Sequence, residues 1–236
     1  MTTSPTTKPH RTPLPRGLII LACFWIAGSW LANIGLDTPI SPIAEDYSYG
    51  LKMLCSSLLI GVTLGWPLTR LVGCRFVKPI RQTVLDMTVV TAGILVTIWP
   101  LRLLSSWSIE QTTLITGVLV SWTCLVGGVI CLGTAPDRPG IRGAIILGLF
   151  CLIGVGAMLP PTEGMQWWRP IDVMLVITLP ENTQMLGMHP EEAIRVLAQT
   201  LIAAAGIWML AIGRGIERAG SGRSVPQRVG SDQSSD

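Results

Sequence analysis

Residues 167–192, WWRPIDVMLVITLPENTQMLGMHPEE, hold a charge-free, mostly apolar run from Val173 to Leu179 between Asp172 and Glu181. Whether this run crosses a bilayer decides on which side every later residue lies. At about 1.5 Å per residue, a helix from Ile171 to Leu179 is about 13 Å long, less than half of a hydrocarbon core about 30 Å thick. The run is therefore expected not to cross. Pro170 at its start and Asp172 in its first turn suit a helix that begins there. Two placements follow: a short helix lying at the outer surface against a bundle, or a re-entrant piece with Pro180 to Gln184 as its turn. The re-entrant version brings Glu181 toward lipid, where a carboxylate needs a partner. Glu181 and Arg169 are the candidate functional residues of this segment.

The rest of the chain explains why a bilayer is the right solvent to consider. Of its 236 residues 49% are hydrophobic and 13% charged, with a mean hydropathy of +0.54, whereas about a quarter of a soluble domain is charged. Six intervals contain no Asp, Glu, Lys or Arg: Gly17 to Leu36, Met53 to Thr69, Met87 to Leu101, Gln111 to Pro136, Gly143 to Thr162 and Val196 to Gly213. A helix needs roughly 20 residues, with a range of about 17 to 25, to cross. The third interval has only 15 and becomes adequate if its helix starts near Gln82 and carries Asp86 in its first turns. The expected fold is an all-α integral membrane protein with six transmembrane helices in one bundle, over about 17–36, 53–69, 82–101, 111–133, 143–160 and 194–213. An outer segment occupies 161–193. The polar ends, 1–16 and 214–236, lack the apolar surface needed to fold and are expected to be disordered.

Lysine and arginine set the orientation, because short cytoplasmic loops retain them. Lys8, Arg11 and Arg16; Arg70, Arg75, Lys78 and Arg81; Arg138 and Arg142; and Arg214, Arg218, Arg223 and Arg228 fall on one side, thirteen of the seventeen basic residues. This places both termini in the cytoplasm, the chain being multi-pass in a plasma membrane of the bacterial inner-membrane kind. A seventh span at 171–190 would put the four C-terminal arginines outside, against the rule that the other loops obey. Trp99, Trp107, Trp167 and Trp168 fall near the outer boundary, where amphipathic rings prefer to sit, and Trp25 and Trp122 are expected to pack inside the bundle. The net charge of +3 reflects orientation and carries no sign of nucleic acid as a partner.

Few residues offer chemistry. Asp86 is the best single candidate, since ionisable groups within spans are costly; Arg81 and Lys78 are close enough in sequence to pair with it at headgroup level. Arg70, Arg75, Lys78 and Arg81 form either an anchor on anionic lipid or a coupling element for a cytoplasmic partner. Small residues at helical spacing, Gly28, Ala32 and Gly35 in the first span and Thr200, Ala203 and Gly206 in the last, are expected to mediate close helix packing, within one chain or between two. The segment HPEEAIR, from His189 to Arg195, reads as a helix start, with Glu191 and Glu192 at the positive end of the dipole. Only His10 and His189 exist, and the six cysteines form no CxxC. No metal, cofactor or catalytic constellation is expected.

In topology alone this layout is similar to permease subunits of ABC exporters, which have six spans, cytoplasmic ends and a coupling element between spans two and three. The resemblance implies a dimer with a separate cytoplasmic ATPase. The other expectation is a non-catalytic structural or accessory subunit bound to further membrane subunits, which the scarcity of intramembrane charge favours.

Overall fold

A computed structural model describes residues 16–35, 48–73, 79–103, 105, 107–134, 139–158, 170–177 and 190–221. These residues are helical almost throughout, with no strand among them. Helix α1, Arg16–Trp30, continues as a π-helical turn, Leu31–Gly35; α2, Ser48–Ile60, passes through a second π turn, Gly61–Gly65, into α3, Trp66–Gly73. Then follow α4 (Pro79–Leu101), α5 (Ile109–Gly133), α6 (Pro139–Met158), α7 (Pro170–Ile177) and α8 (Pro190–Ser221).

Five of these stretches are long and apolar enough to cross a membrane: Arg16–Gly35, Tyr49–Val72, Pro79–Leu101, Ile109–Gly133 and Glu191–Arg214. The third expected span is longer than its charge-free interval, because α4 begins at Pro79, in the first position where a missing N–H costs nothing, and takes Arg81 and Asp86 into a 23-residue helix. The marginal member is α6, which has 20 residues but a shorter apolar stretch, Gly140–Gly154.

Helix α5 is the centre of the bundle and packs against α3, α4, α6, α7 and α8. Its sequence supplies what such a position needs. Thr112, Ser121 and Thr123 are buried, and their hydroxyls donate to the carbonyls of Ser108, Val118 and Leu119 at 2.8–2.9 Å, so these three hydroxyls are satisfied in an apolar interior, whereas the buried Trp122 Nε1 has no hydrogen-bond partner. Neighbours approach its glycines closely: Met87 and Trp66 stand over Gly127, Ile207 and Trp208 over Gly128, and Leu71 and Ile145 over Gly133. The Ser108 side chain caps its start, accepting from the Gln111 N–H at 3.1 Å, which satisfies one of the free donors of the first turn.

Helices α5 and α8 lie side by side and run in the same direction. Gly117 faces Leu197, Gly128 faces Ile207 and Trp208, and the Trp208 Nε1 donates to the Cys124 carbonyl at 2.9 Å. Helices α1 and α2 are antiparallel: Gly50 sits against the Asn33 carbonyl and Gly61 against the Trp25 indole. Between them the Ser29 and Ser57 hydroxyls bond at 2.7 Å, and the Trp25 Nε1 donates to the Ser57 carbonyl at 3.0 Å.

The short α7 begins at Pro170, as the sequence suggests, and packs against α2, α5 and α6. Val173 and Met174 are fully buried. Arg169 and Glu181 lie outside the described residues, as do most of the chain ends. Helix α8 starts at Pro190 with Glu191 and Glu192 in its first turn, which matches the helix-start reading of HPEEAIR.

Candidate functional site

A charged side chain belongs inside an apolar bundle only if another group compensates it. Asp86 is such a case: it lies two turns into α4 and is 1% exposed. Its partner is Arg70, on α3. The Arg70 Nη2 donates to Asp86 Oδ1 at 2.6 Å, and the Arg70 side chain is 11% exposed. Gln82, buried one turn before Asp86 on α4, donates its Nε2 to the same oxygen at 3.2 Å. One carboxylate oxygen thus gathers a charged and a neutral donor, which compensates for the lost water.

The residues beside the pair show where it sits. Leu71, next to Arg70, packs on Gly133, and Met87, next to Asp86, packs on Gly127. The ion pair is therefore wedged where α3 ends, α4 begins and α5 approaches its last turns. Close by, the Arg142 Nε of α6 donates to the Gly133 carbonyl at 3.2 Å, a favourable place for a cation at the negative end of a helix. Arg70 and Asp86 bracket the connection at 74–78, so the loop is tied at its base by a salt bridge buried in the bundle.

Two expectations change here. Asp86 does not turn to Arg81, which is exposed; five positions away on the same helix, it is less well placed than a cation from the neighbouring helix at equal depth. Arg70, expected as a headgroup or partner contact, directs its Nη2 to the buried Asp86, and its side chain is 11% exposed. Arg75 and Lys78 lie outside the described residues. Gln82 was not anticipated, although its position four residues before Asp86 puts both on one helix face. The pairing itself had a signal: Arg70 ends one charge-free interval and Asp86 precedes the next, which sets opposite charges at matching ends of adjacent helices.

The small-residue faces also divide differently from expectation. Thr200 is buried and Ala203 packs on the core, so this part of α8 meets α5. Gly28 and Gly206 have no atom within 4 Å of where a Cβ would stand, and Gly35 meets Leu31 of its own helix and the Trp30 carbonyl. Ala32 is exposed. These four positions do not mediate packing within this chain; the glycines that do are Gly117, Gly127, Gly128 and Gly133 on α5, and Gly50 and Gly61 where α1 meets α2.

An apolar groove of about 70 Å³ opens between α1, α2, α3 and α4, with Trp25, Gly61, Gly65, Trp66 and Gly93 among its walls. Trp66 is buried, and its Nε1 has no hydrogen-bond partner. Neither site offers a nucleophile with a base beside it, and among the described residues no group of three His, Cys, Asp or Glu could hold a metal. What the Arg70–Asp86–Gln82 cluster can do is hold two helices in a fixed relation, or release them if its charges are disturbed. Comparison of the chain with protein-family models, curated proteins and solved structures finds no match.

Proposed function

We propose that this chain is the transmembrane, permease-like subunit of a transporter that works with a separate energising partner, an ATPase on the cytoplasmic side. The observation that carries the reading is the buried Arg70–Asp86 pair at the base of the loop between α3 and α4. A partner that presses on a loop moves the bundle only if the loop is rigidly joined to it. A salt bridge from the last helical residues before the loop to the first turns after it makes that joint. Arg75 and Lys78, within the loop, are the charges a partner with an acidic surface would meet.

The reading includes six spans and two cytoplasmic ends. Support comes from the parallel run of α5 and α8: two parallel spans need an odd number of crossings between them. Helix α6 has 20 residues, about 30 Å at 1.5 Å each, and is long enough for that crossing. Helix α7, with 8 residues, is not. The basic residues of the connections at 74–78 and 135–138 then share a side with both termini, in the inner membrane of a bacterium.

Purification of the full chain from its native membrane tests the proposal. An ATPase should accompany the parent chain and be lost from Arg75→Glu/Lys78→Glu. Recovery of a stable complex containing other membrane proteins and no ATPase would instead favour the structural or accessory role, to which the sparse intramembrane charge already lends weight.

A further inference from the structure

We propose that the face of α8 carrying Gln199 is the seam between two copies of this chain. Helix α8 packs on α5 with Leu197, Ile207 and Trp208 against its glycines, and Ala193, Val196, Thr200 and Ala204 are buried. On its other side Arg195, Gln199, Ile202, Gly206, Met209 and Gly213 recur at intervals of four and three residues, and every one of them is exposed. That spacing keeps residues in one stripe along a left-handed helix crossing.

Gln199 is what turns an open face into an interface. It lies within the charge-free part of the span, about 6 Å deeper than Arg195, and it is exposed with no hydrogen-bond partner among the described residues. Two threonines on open faces are satisfied by their own helices: the exposed Thr88 and Thr113 donate to the carbonyls of Val84 and Ile109 at 3.0 and 2.7 Å. An amide two bonds longer has no such contact here, and hydrocarbon cannot supply one.

The chemistry of the amide selects a second copy as occupant. A carboxamide carries a donor and an acceptor, so it is complementary to itself. Around a two-fold axis along the membrane normal, the two α8 helices run parallel and the two Gln199 amides can exchange hydrogen bonds. Gly206, seven residues on, has nothing within 4 Å of its Cβ position and lets the backbones approach. The like charges of the paired Arg195 residues lie at the polar end of the stripe, where Glu191 and Glu192 of the first turn are within one turn to compensate them.

The test is subunit counting by single-molecule photobleaching of the full chain in liposomes over a range of dilution. The parent should dimerise. Gln199→Leu should weaken the dimer roughly 3-fold to 30-fold, from the cost of an interhelical hydrogen bond in a membrane, and Gly206→Ile should weaken it by a larger factor. Gly148→Ile, on an open face of α6, should leave it unchanged. The thermal stability of each variant serves as the folding control, since neither Gln199 nor Gly206 is packed within the chain. A parent that stays monomeric throughout, or a dimer indifferent to both α8 substitutions, overturns the proposal. The inference needs only that α8 lies in the membrane, so either result leaves the question of an energising partner to the co-purification.

Discussion

Arg70 and Asp86 meet at 2.6 Å across the end of one helix and the start of the next, and they do so while Arg81, far nearer to Asp86 in the chain, is exposed. Depth in the bundle outweighs nearness in sequence. In an apolar surrounding the attraction of opposite charges is strong, but so is the cost of removing each from water. Geometry is what decides the balance, and here Gln82 adds a second donor to the same oxygen.

Removal of one partner should accordingly cost far more than removal of both. Asp86→Leu leaves the Arg70 guanidinium buried without its carboxylate and should destabilise the folded chain by about 3–5 kcal/mol. The double variant Arg70→Met/Asp86→Leu should recover most of that loss. Thermal unfolding in detergent, arranged as a double-mutant cycle, measures the difference. A double variant as unstable as the single one would mean that the pair acts through something other than mutual compensation.

Gln82 should behave as a lesser member of the cluster. Gln82→Leu removes one neutral donor while the arginine remains, so a loss of about 1.5–3 kcal/mol is expected, the range for a hydrogen bond to a charged group. In the background of Asp86→Leu the same substitution should cost little, since its acceptor is already gone. The coupling between the two substitutions is the quantity to compare.

Much of this fold is legible in the charge pattern, and the reason is solvation. Every helix that lipid can dissolve must be free of charge over most of its length, so each charge-free interval marks a helical stretch, although α4 and α8 run as many as eight residues beyond theirs. The rotation of each helix is a different matter. In a soluble protein the core and the solvent select opposite residues and leave a visible stripe; in a bilayer Leu and Ile suit both surroundings. Phe24 and Val96 are exposed while Leu54 and Ile98 are buried, and nothing in the residue types separates them. The spaced small residues of α1 read as a packing face, whereas the glycines that pack closely include Gly117, Gly127, Gly128 and Gly133 on α5, at less regular intervals, and Gly50 and Gly61 opposite α1. The Arg70–Asp86 pairing is hidden for a related reason: an arginine beside a basic loop reads as surface charge unless the opposing carboxylate is considered at equal depth.

The glycines of the interior and of the open faces should therefore respond oppositely. At Gly61 a Cβ would lie 2.5 Å from the Trp25 Nε1, so Gly61→Ala must displace the indole and its bond to the Ser57 carbonyl. Overpacking of this kind typically costs about 1–3 kcal/mol. Gly28→Ala meets nothing within 4 Å and replaces a poor helix former, for which a gain of up to about 1 kcal/mol is expected. Thermal unfolding ranks the two, and the tryptophan emission should shift for the first alone.

The direction of α8 bears on topology in a way that labelling can read. Because α8 runs alongside α5 in the same sense, the chain must return across the bilayer once between Thr134 and Pro190 if both are spans. Single cysteines placed in a cysteine-free background at 136, 161 and 182 should then divide unequally: 136 accessible from the cytoplasm, 161 and 182 both from outside. The pair at 161 and 182 flanks α7, and their agreement is the critical result. Were they to label from opposite sides, α7 would have to cross despite its 8 residues, α8 would be reversed relative to α5, and the contacts of Gly117 with Leu197 and of Gly128 with Trp208 could not all be made.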